Sequence, residues 1–135
     1  LLFGDARMSY RRQLISNGNP MEAVVGFGRA VRVGPFISIG GTAPVDADGN
    51  TVGVRGVAAQ TRQCFELIKS ALEQAGSGLQ DAVRTRLILT DIDNWKAAID
   101  VRKDSFRDVR PVELEADALI AGRPGPQVRR EMPIT

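Results

Sequence analysis

Val31-Arg32-Val33-Gly34-Pro35-Phe36-Ile37-Ser38-Ile39-Gly40-Gly41-Thr42-Ala43-Pro44-Val45 is the stretch from which the rest of this 135-residue chain can be read. Gly34-Pro35 suits a two-residue hairpin turn: glycine takes the positive φ of the first turn position and the fixed φ of proline fits the second. Apolar strands flank the turn, and the second, Phe36 to Ile39, runs into Gly40-Gly41, where no side chain is available to pack. Glycines at the end of a buried strand mark a bulge, a second backbone or a ligand that comes close. Gly40 and Gly41 are therefore the first candidates for lining a small-molecule site.

Upstream, Tyr10 to Ser16 reads as a first strand closed by the turn-prone Asn17-Gly18-Asn19-Pro20. From Ala23 to Val33 the pattern has a period of two, with Val25, Phe27, Arg29, Val31 and Val33 opposite Val24, Gly26, Gly28, Ala30 and Arg32. That alternation predicts a strand throughout. Gly26-x-Gly28 lacks the third glycine and the following helix of a dinucleotide loop, so these glycines read as strand positions that permit close approach. Asp46-Ala47-Asp48-Gly49-Asn50 resembles a calcium loop only superficially. Its glycine comes too early and no Glu stands at the twelfth position, so a polar turn is expected.

Downstream, Val57 to Ala75 predicts a helix. Val57, Cys64, Phe65, Ile68, Leu72 and Ala75 form one stripe, Arg62, Glu66, Lys69 and Glu73 stay on the wet side, and Gly76 stands as the terminator. Cys64 belongs to the apolar stripe and has no neighbouring base, which favours a structural thiol over a nucleophile. Val83 to Thr90 alternates as another strand. Asp91 to Asn94 supply caps for a second helix whose buried face is Trp95, Ala98, Ile99 and Phe106. Arg110-Pro111 ends it, and Val112 to Ile120 gives a final strand. The order is β-β-β-α-β-α-β, an α+β fold with two helices over one face of a mixed sheet. Neither helix can cover the other face, so a second copy of the chain is expected there, with clefts between subunits.

The length fits one domain that buries about two-thirds of its unfolded surface. Its boundaries are placed at residues 10–121, with 1–9 as an N-terminal extension or expression remnant and 122–135 as a mobile tail rich in Pro, Gly and Arg. No apolar run approaches the ~20 residues of a membrane span. One cysteine excludes an intrachain disulfide, and a cytoplasmic address is expected. The chain has no histidine. That removes Ser-His-Asp and Cys-His catalysis and the usual zinc sites, and with a single Cys no structural transition-metal site is expected. Acid–base work then falls to carboxylates, Lys, Tyr10, a thiol or bound water. A formal charge of +2 without a basic stripe, and only 5% aromatic residues, argue against a nucleic-acid surface.

Several segments together resemble the YjgF/RidA family, also labelled endoribonuclease L-PSP. They are Val33-Gly34-Pro35 to Pro44-Val45, Ala58-Ala59-Gln60-Thr61-Arg62-Gln63, Leu72-Glu73-Gln74-Ala75-Gly76, Thr90-Asp91-Ile92-Asp93-Asn94-Trp95 and Glu113-Leu114-Glu115-Ala116-Asp117-Ala118. The resemblance implies a chorismate-mutase-like fold and a homotrimer whose helices face outward and whose sheets form an inner barrel with three intersubunit clefts. It implies cofactor-independent hydrolysis of enamines and imines derived from amino acids. An Arg would clamp the substrate carboxylate, backbone would hold the reacting carbon and a Glu would position water. By the same resemblance the Glu falls on Glu113, an aromatic cleft position often held by Tyr falls on Phe27, and the residue pair at the strand end falls on Gly40 and Gly41.

The clamp Arg has no counterpart. In the family a strand and its turn separate the Arg-Pro from the Glu-x-Glu-Ala segment, whereas here Val112 joins Glu113 directly. Residues missing from the sequence at this junction are expected rather than a natural shortening, which would leave strand backbone unpaired. Arg110 is the candidate substitute for the clamp, against a reading as a solvated loop cation. Glu113 is weighed against a strand carboxylate that faces solvent or pairs with Arg84 or Arg86. Three functions follow in order: a hydrolytic deaminase of small imino or enamino acids, a non-catalytic module that binds a small carboxylate metabolite, and a ribonuclease or translation inhibitor.

Overall fold

The computed structural model describes residues 10–118 and 128–129, and for 113–118 and 128–129 only the backbone. In chain order the elements are strand β1 (Arg12–Ile15), helix α1 (Met21–Val25), β2 (Ala30–Val33), β3 (Phe36–Ile39), α2 (Val57–Gln74), β4 (Arg84–Leu89), α3 (Trp95–Ser105), β5 (Val112–Ala118) and β6 (Val128–Arg129). Short 3-10 turns at Leu79–Asp81 and Ile92–Asn94 precede β4 and α3. The expected order of strands and helices is present, with α1 and β6 added.

The Gly34-Pro35 hairpin forms as read: Gly34 has φ 58°, and Val33 pairs with Phe36 across it. β1, β2 and β3 make an antiparallel sheet in that order. Its register places Ile15 opposite Ala30, and Ala30 opposite Ile39. α2 lies on one face of this sheet. Ala71 and Ala75 pack on Ile15 and Ala30, with Ile37 and Ile39 at the margin. The alanines bring the helix close to the strands, and Arg32 ties the two by donating from Nη1 to the Ala75 carbonyl at 2.5 Å. The opposite face carries Leu14, Val33 and Phe36, all exposed. Among the described residues nothing covers that face.

The second sheet has the order β4-β5-β6 and supplies the mixed character, since β4 and β5 are parallel and β5 and β6 antiparallel. Arg84 lies opposite Val112 and Thr85 opposite Glu113, with an irregularity between Arg86 and Ile88. β5, which begins at Val112, lies between β4 and β6, and among the described residues no strand pairs the second edge of β4. Beneath this sheet Phe65 of α2, Val101 of α3 and Phe106 form a second buried cluster. The Phe65 and Phe106 rings meet edge to face at 5.2 Å. α2 ends where the sequence placed its end: Gly76 takes φ 83°, and the Gly76 and Ser77 amides close back on the carbonyls of Glu73 and Leu72.

The strand predicted from Ala23 to Val33 needs correction. Residues 21–25 are helical, Gly26 adopts φ 82° as the C-cap, and the strand begins only at Ala30. The alternation of valines and glycines mimicked a strand, while the Asn19 side chain accepts from the Met21 amide at 2.9 Å and starts a helical turn. Of the stretch 122–135 read as a tail, Val128 and Arg129 pair with Ala118 and Asp117. The rest of that stretch, the extension 1–9 and the strand end Leu119–Ile120 lie outside the described residues.

Candidate functional site at the end of the first sheet

The site is built where the chain enters β2 and leaves β3. The Arg29 amide donates to the Ile15 carbonyl at 2.9 Å and the Gly40 amide donates to the Arg29 carbonyl at 3.0 Å, which holds Phe27-Gly28-Arg29 beside Gly40. The two glycines then differ. A Cβ on Gly40 would stand 3.3 Å from Arg29 Nη2 and 3.4 Å from the Gly28 carbonyl oxygen, so only glycine fits without displacing a neighbour. A Cβ on Gly41 would meet nothing within 4 Å. Gly40 thus closes the backbone against β2, and Gly41 faces open space. Phe27, one residue before Gly28, is 42% exposed.

Arg29 organises the segment. Its Nη2 donates to the carbonyls of Gly40 and Gly41 and to Thr42 Oγ1, the last two at 3.0 and 2.8 Å. From the other side, α2 holds the same loop. The Cys64 thiol donates to the Thr42 carbonyl at 3.3 Å and Gln63 Nε2 to the Val45 carbonyl at 2.7 Å. Gln60 donates to Gly53 further along at 3.0 Å. The Gln60–Gln63 motif therefore fixes the loop after β3. Asp46 accepts the amides of Asp48 and Asn50, both at 2.9 Å, so this stretch is the polar turn expected of it.

The electrostatics are set by burial. Loss of water pushes the Cys64 thiol above its ordinary value near 9.0, with the Arg29 charge opposing the shift. Burial likewise pulls the Arg29 guanidinium down, opposed by Glu22 and Cys64. Glu22 is held below the ordinary carboxyl range by hydrogen bonds from the Ser16 side chain and the Asn17 amide, with the Arg29 charge a smaller cause. Arg29 Nε is buried and has no hydrogen-bond partner. A donor left unmade in the interior costs about 1–3 kcal/mol. Among the described residues no group of three or more His, Cys, Asp or Glu is placed to hold a metal ion.

Of the residues expected in the site, Gly40 and Gly41 lie on the loop that the Gly28–Arg29 backbone adjoins, and Phe27 stands one residue before that backbone. Glu113 belongs to β5 of the second sheet, and Arg110 to the loop that leads into it. Arg110 is exposed, has φ 50° and donates from Nε to the Arg107 carbonyl at 3.4 Å. The backbone of Glu113 lies opposite Thr85. Among the described residues no hydrogen bond or strand pairing joins Arg110 or Glu113 to the Gly40 segment. Arg102 fixes their local backbone, donating to Thr85 Oγ1 and to the Pro111 carbonyl, both at 2.8 Å. Sequence reasoning missed Arg29 as a site residue. Its partners lie 11 to 13 residues further along the chain, and no local pattern points to them.

Comparison with known proteins gives a consistent result. The family model for endoribonuclease L-PSP matches residues 17–126. A RutC family protein of Pyrococcus abyssi is 28% identical over 91 residues, covering 67% of this chain and 72% of that protein. A solved member of the YjgF/YER057c/UK114 family from Mycobacterium tuberculosis is 39% identical with a TM-score of 0.65, covering 77% of this chain and 85% of its own. A Yersinia pestis protein of unknown function from the conserved Rid family is 26% identical with a TM-score of 0.66, covering 77% and 86%. Among the described residues no helix is long and apolar enough to cross a membrane.

Proposed function

The chain belongs to the endoribonuclease L-PSP family, the YjgF/RidA group, and on that premise we propose that it hydrolyses small imino or enamino acids, without a cofactor, in a cleft between copies of itself. The observation that carries this reading is the open wall at Gly41, which stands at the end of a sheet whose outer apolar face is bare. A flat C=N substrate can lie against a residue that has no side chain, while Phe27 supplies an apolar flank. Water adds to the substrate carbon, the C–N bond breaks, and a 2-oxo acid and ammonia leave. Glu113 is the proposed group that orients the water. It belongs to the second sheet, so a shared cleft is the arrangement in which Phe27, Gly40 and Gly41 of one copy meet Glu113 and Arg110 of another.

The test is ammonia release from 2-iminopropionate generated in place by an amino-acid oxidase acting on alanine. Acceleration by the purified protein supports the reading, and Glu113→Gln should remove it. A rate equal to that of buffer alone overturns it. A second reading, a module that binds small carboxylates without turnover, is favoured by one feature: Phe27 stands without a hydroxyl where relatives often carry Tyr. Thermal shift by 2-oxo acids in a protein that leaves 2-iminopropionate untouched would select this reading. A sedimentation experiment tests the shared cleft, which a single chain cannot form and for which the resemblance implies a trimer.

A further inference from the structure

We propose that the hairpin end of the first sheet carries a second site, one that binds the diphosphate group of a small molecule. It stands apart from the Gly41 wall, because β2 starts beside Gly40 and runs away from it to the turn at Gly34. Around that turn Arg11, Arg12, Gln13, Leu14, Arg32 and Gly34 line an open hollow of about 640 Å³. Three of these residues are arginines and none is acidic. Arg12 opens β1, the edge strand of its sheet, and Arg11 precedes it. Both are exposed, and among the described residues neither side chain forms a hydrogen bond or an ion pair.

Arg32 is the fixed member of the three. Its Nε donates to the Gly34 carbonyl at 3.0 Å and its Nη1 to the Ala75 carbonyl, so the guanidinium plane is held from two directions. Its Nη2 has no hydrogen bond among the described residues, and the side chain lines the hollow. The Tyr10 ring lies on Gly34, where a Cβ would fall 2.5 Å from it, and gives the turn an aromatic flank. Three positive charges around one hollow, with no acid among them, favour an anion there. A guanidinium fork matches paired oxygens on phosphate as well as on carboxylate. Charge selects between the two. A carboxylate brings one negative charge and a phosphate monoester about −1.5 to −2 at neutral pH, so two joined phosphoryl groups come nearest to balancing three arginines. The hollow is also far larger than a lone carboxylate would fill.

The test is calorimetric titration of the full chain with inorganic pyrophosphate, ADP and adenosine at low and high salt. Wild type should bind pyrophosphate and ADP, weaken by about 10-fold or more for both at high salt, and leave adenosine unbound. ADP bound more tightly than pyrophosphate supports a nucleotide as the source of the diphosphate, with Tyr10 beside the base; equal affinities support the free diphosphate. No binding of pyrophosphate at low salt, or adenosine bound as tightly as ADP, overturns the proposal. Arg32→Gln, and Arg11→Gln with Arg12→Gln in one protein, should each weaken pyrophosphate binding by about 10-fold or more. Arg62→Gln, which removes an exposed charge from α2, should change it by less than about 2-fold. Equal weakening by Arg62→Gln and the double variant would mean attraction by net charge alone and overturns the site. Should Arg32→Gln fail to fold, the double variant decides, since neither Arg11 nor Arg12 bonds to anything in the described fold, and unchanged affinity there overturns the site equally. The result does not depend on turnover at the Gly41 wall, so failure of the deaminase reading and failure of this one are read separately.

Discussion

On the inner face of the β1–β2–β3 sheet Ile15 is 4% exposed, packed on Ala30, Ala71 and Ala75. On the outer face Leu14, the next residue in the chain, is 62% exposed, and Phe36 across the hairpin is 78% exposed. The two faces are similarly apolar, and what differs is the supply of a partner. α2 carries small residues where it meets the sheet and so lies close to one side, and no element among the described residues lies on the other. Burying one Leu or Phe side chain is worth about 1.5–3 kcal/mol. The outer face therefore holds stabilisation that folding of a single chain leaves unused and that association would recover.

The largest expected effect falls on the covered side of the molecule. Phe106→Ala removes the edge-to-face partner of Phe65 and should cost about 3–5 kcal/mol, read from denaturant unfolding. Ile15→Ala should cost about 2–5 kcal/mol in the same measurement, whereas Leu14→Ala should change single-chain stability by less than about 0.5 kcal/mol. Equal losses at Ile15 and Leu14 in the dissociated chain would break the comparison. Phe36→Asp sharpens it. If a second copy covers the outer face, this change should shift sedimentation toward the single chain while leaving its far-UV spectrum intact.

Arg32→Met removes the tie from β2 to the end of α2 and the bond from Nε to the Gly34 carbonyl. Replacing these charged hydrogen bonds should cost about 1.5 kcal/mol, seen as a lower melting temperature. The smallest effect is a pH dependence. Because burial raises the Cys64 pKa on folding, the folded state holds the thiol proton more tightly than the unfolded chain does. The associated stability is present below the ordinary thiol value and is lost as pH rises through the raised one. Wild type should therefore lose stability above about pH 9 more steeply than Cys64→Ala does. Parallel curves for the two proteins would remove Cys64 from the explanation.

Most of the fold was legible because its signals are local. Gly34-Pro35 has one good geometry, the stripe from Val57 to Ala75 has one good period, and Gly76 has one good place to stand. Residues 21–29 misled because alternation of apolar residues with glycine is compatible with a strand. The deciding feature, Asn19 accepting the Met21 amide ahead of a left-handed Gly26, is a matter of capping geometry. Gly40 and Gly41 were legible as a pair but not in their division of labour, since which one touches backbone depends on how β2 lies. Arg29 was illegible for a deeper reason. Its meaning comes from two carbonyls and a hydroxyl more than ten residues away, and its side chain alone looks like any other strand arginine. Glu113 stands on the other sheet and Arg110 in the loop before it, where residue order alone brings neither to the Gly41 wall.

α2 contributes Ala71 to one buried cluster and Phe65 to the other, with Ala58 and Ile68 beside Phe65. The two sheets share no strand, yet both are seated on this one helix. Its middle turns cannot open without loosening both sides at once, so their amides should exchange with solvent only through whole-molecule unfolding. The strands at either periphery are free to exchange by smaller local openings. A single helix thus acts as the axle of the protein, and through its packing it couples the hairpin that carries the Gly41 wall to the sheet that carries Glu113.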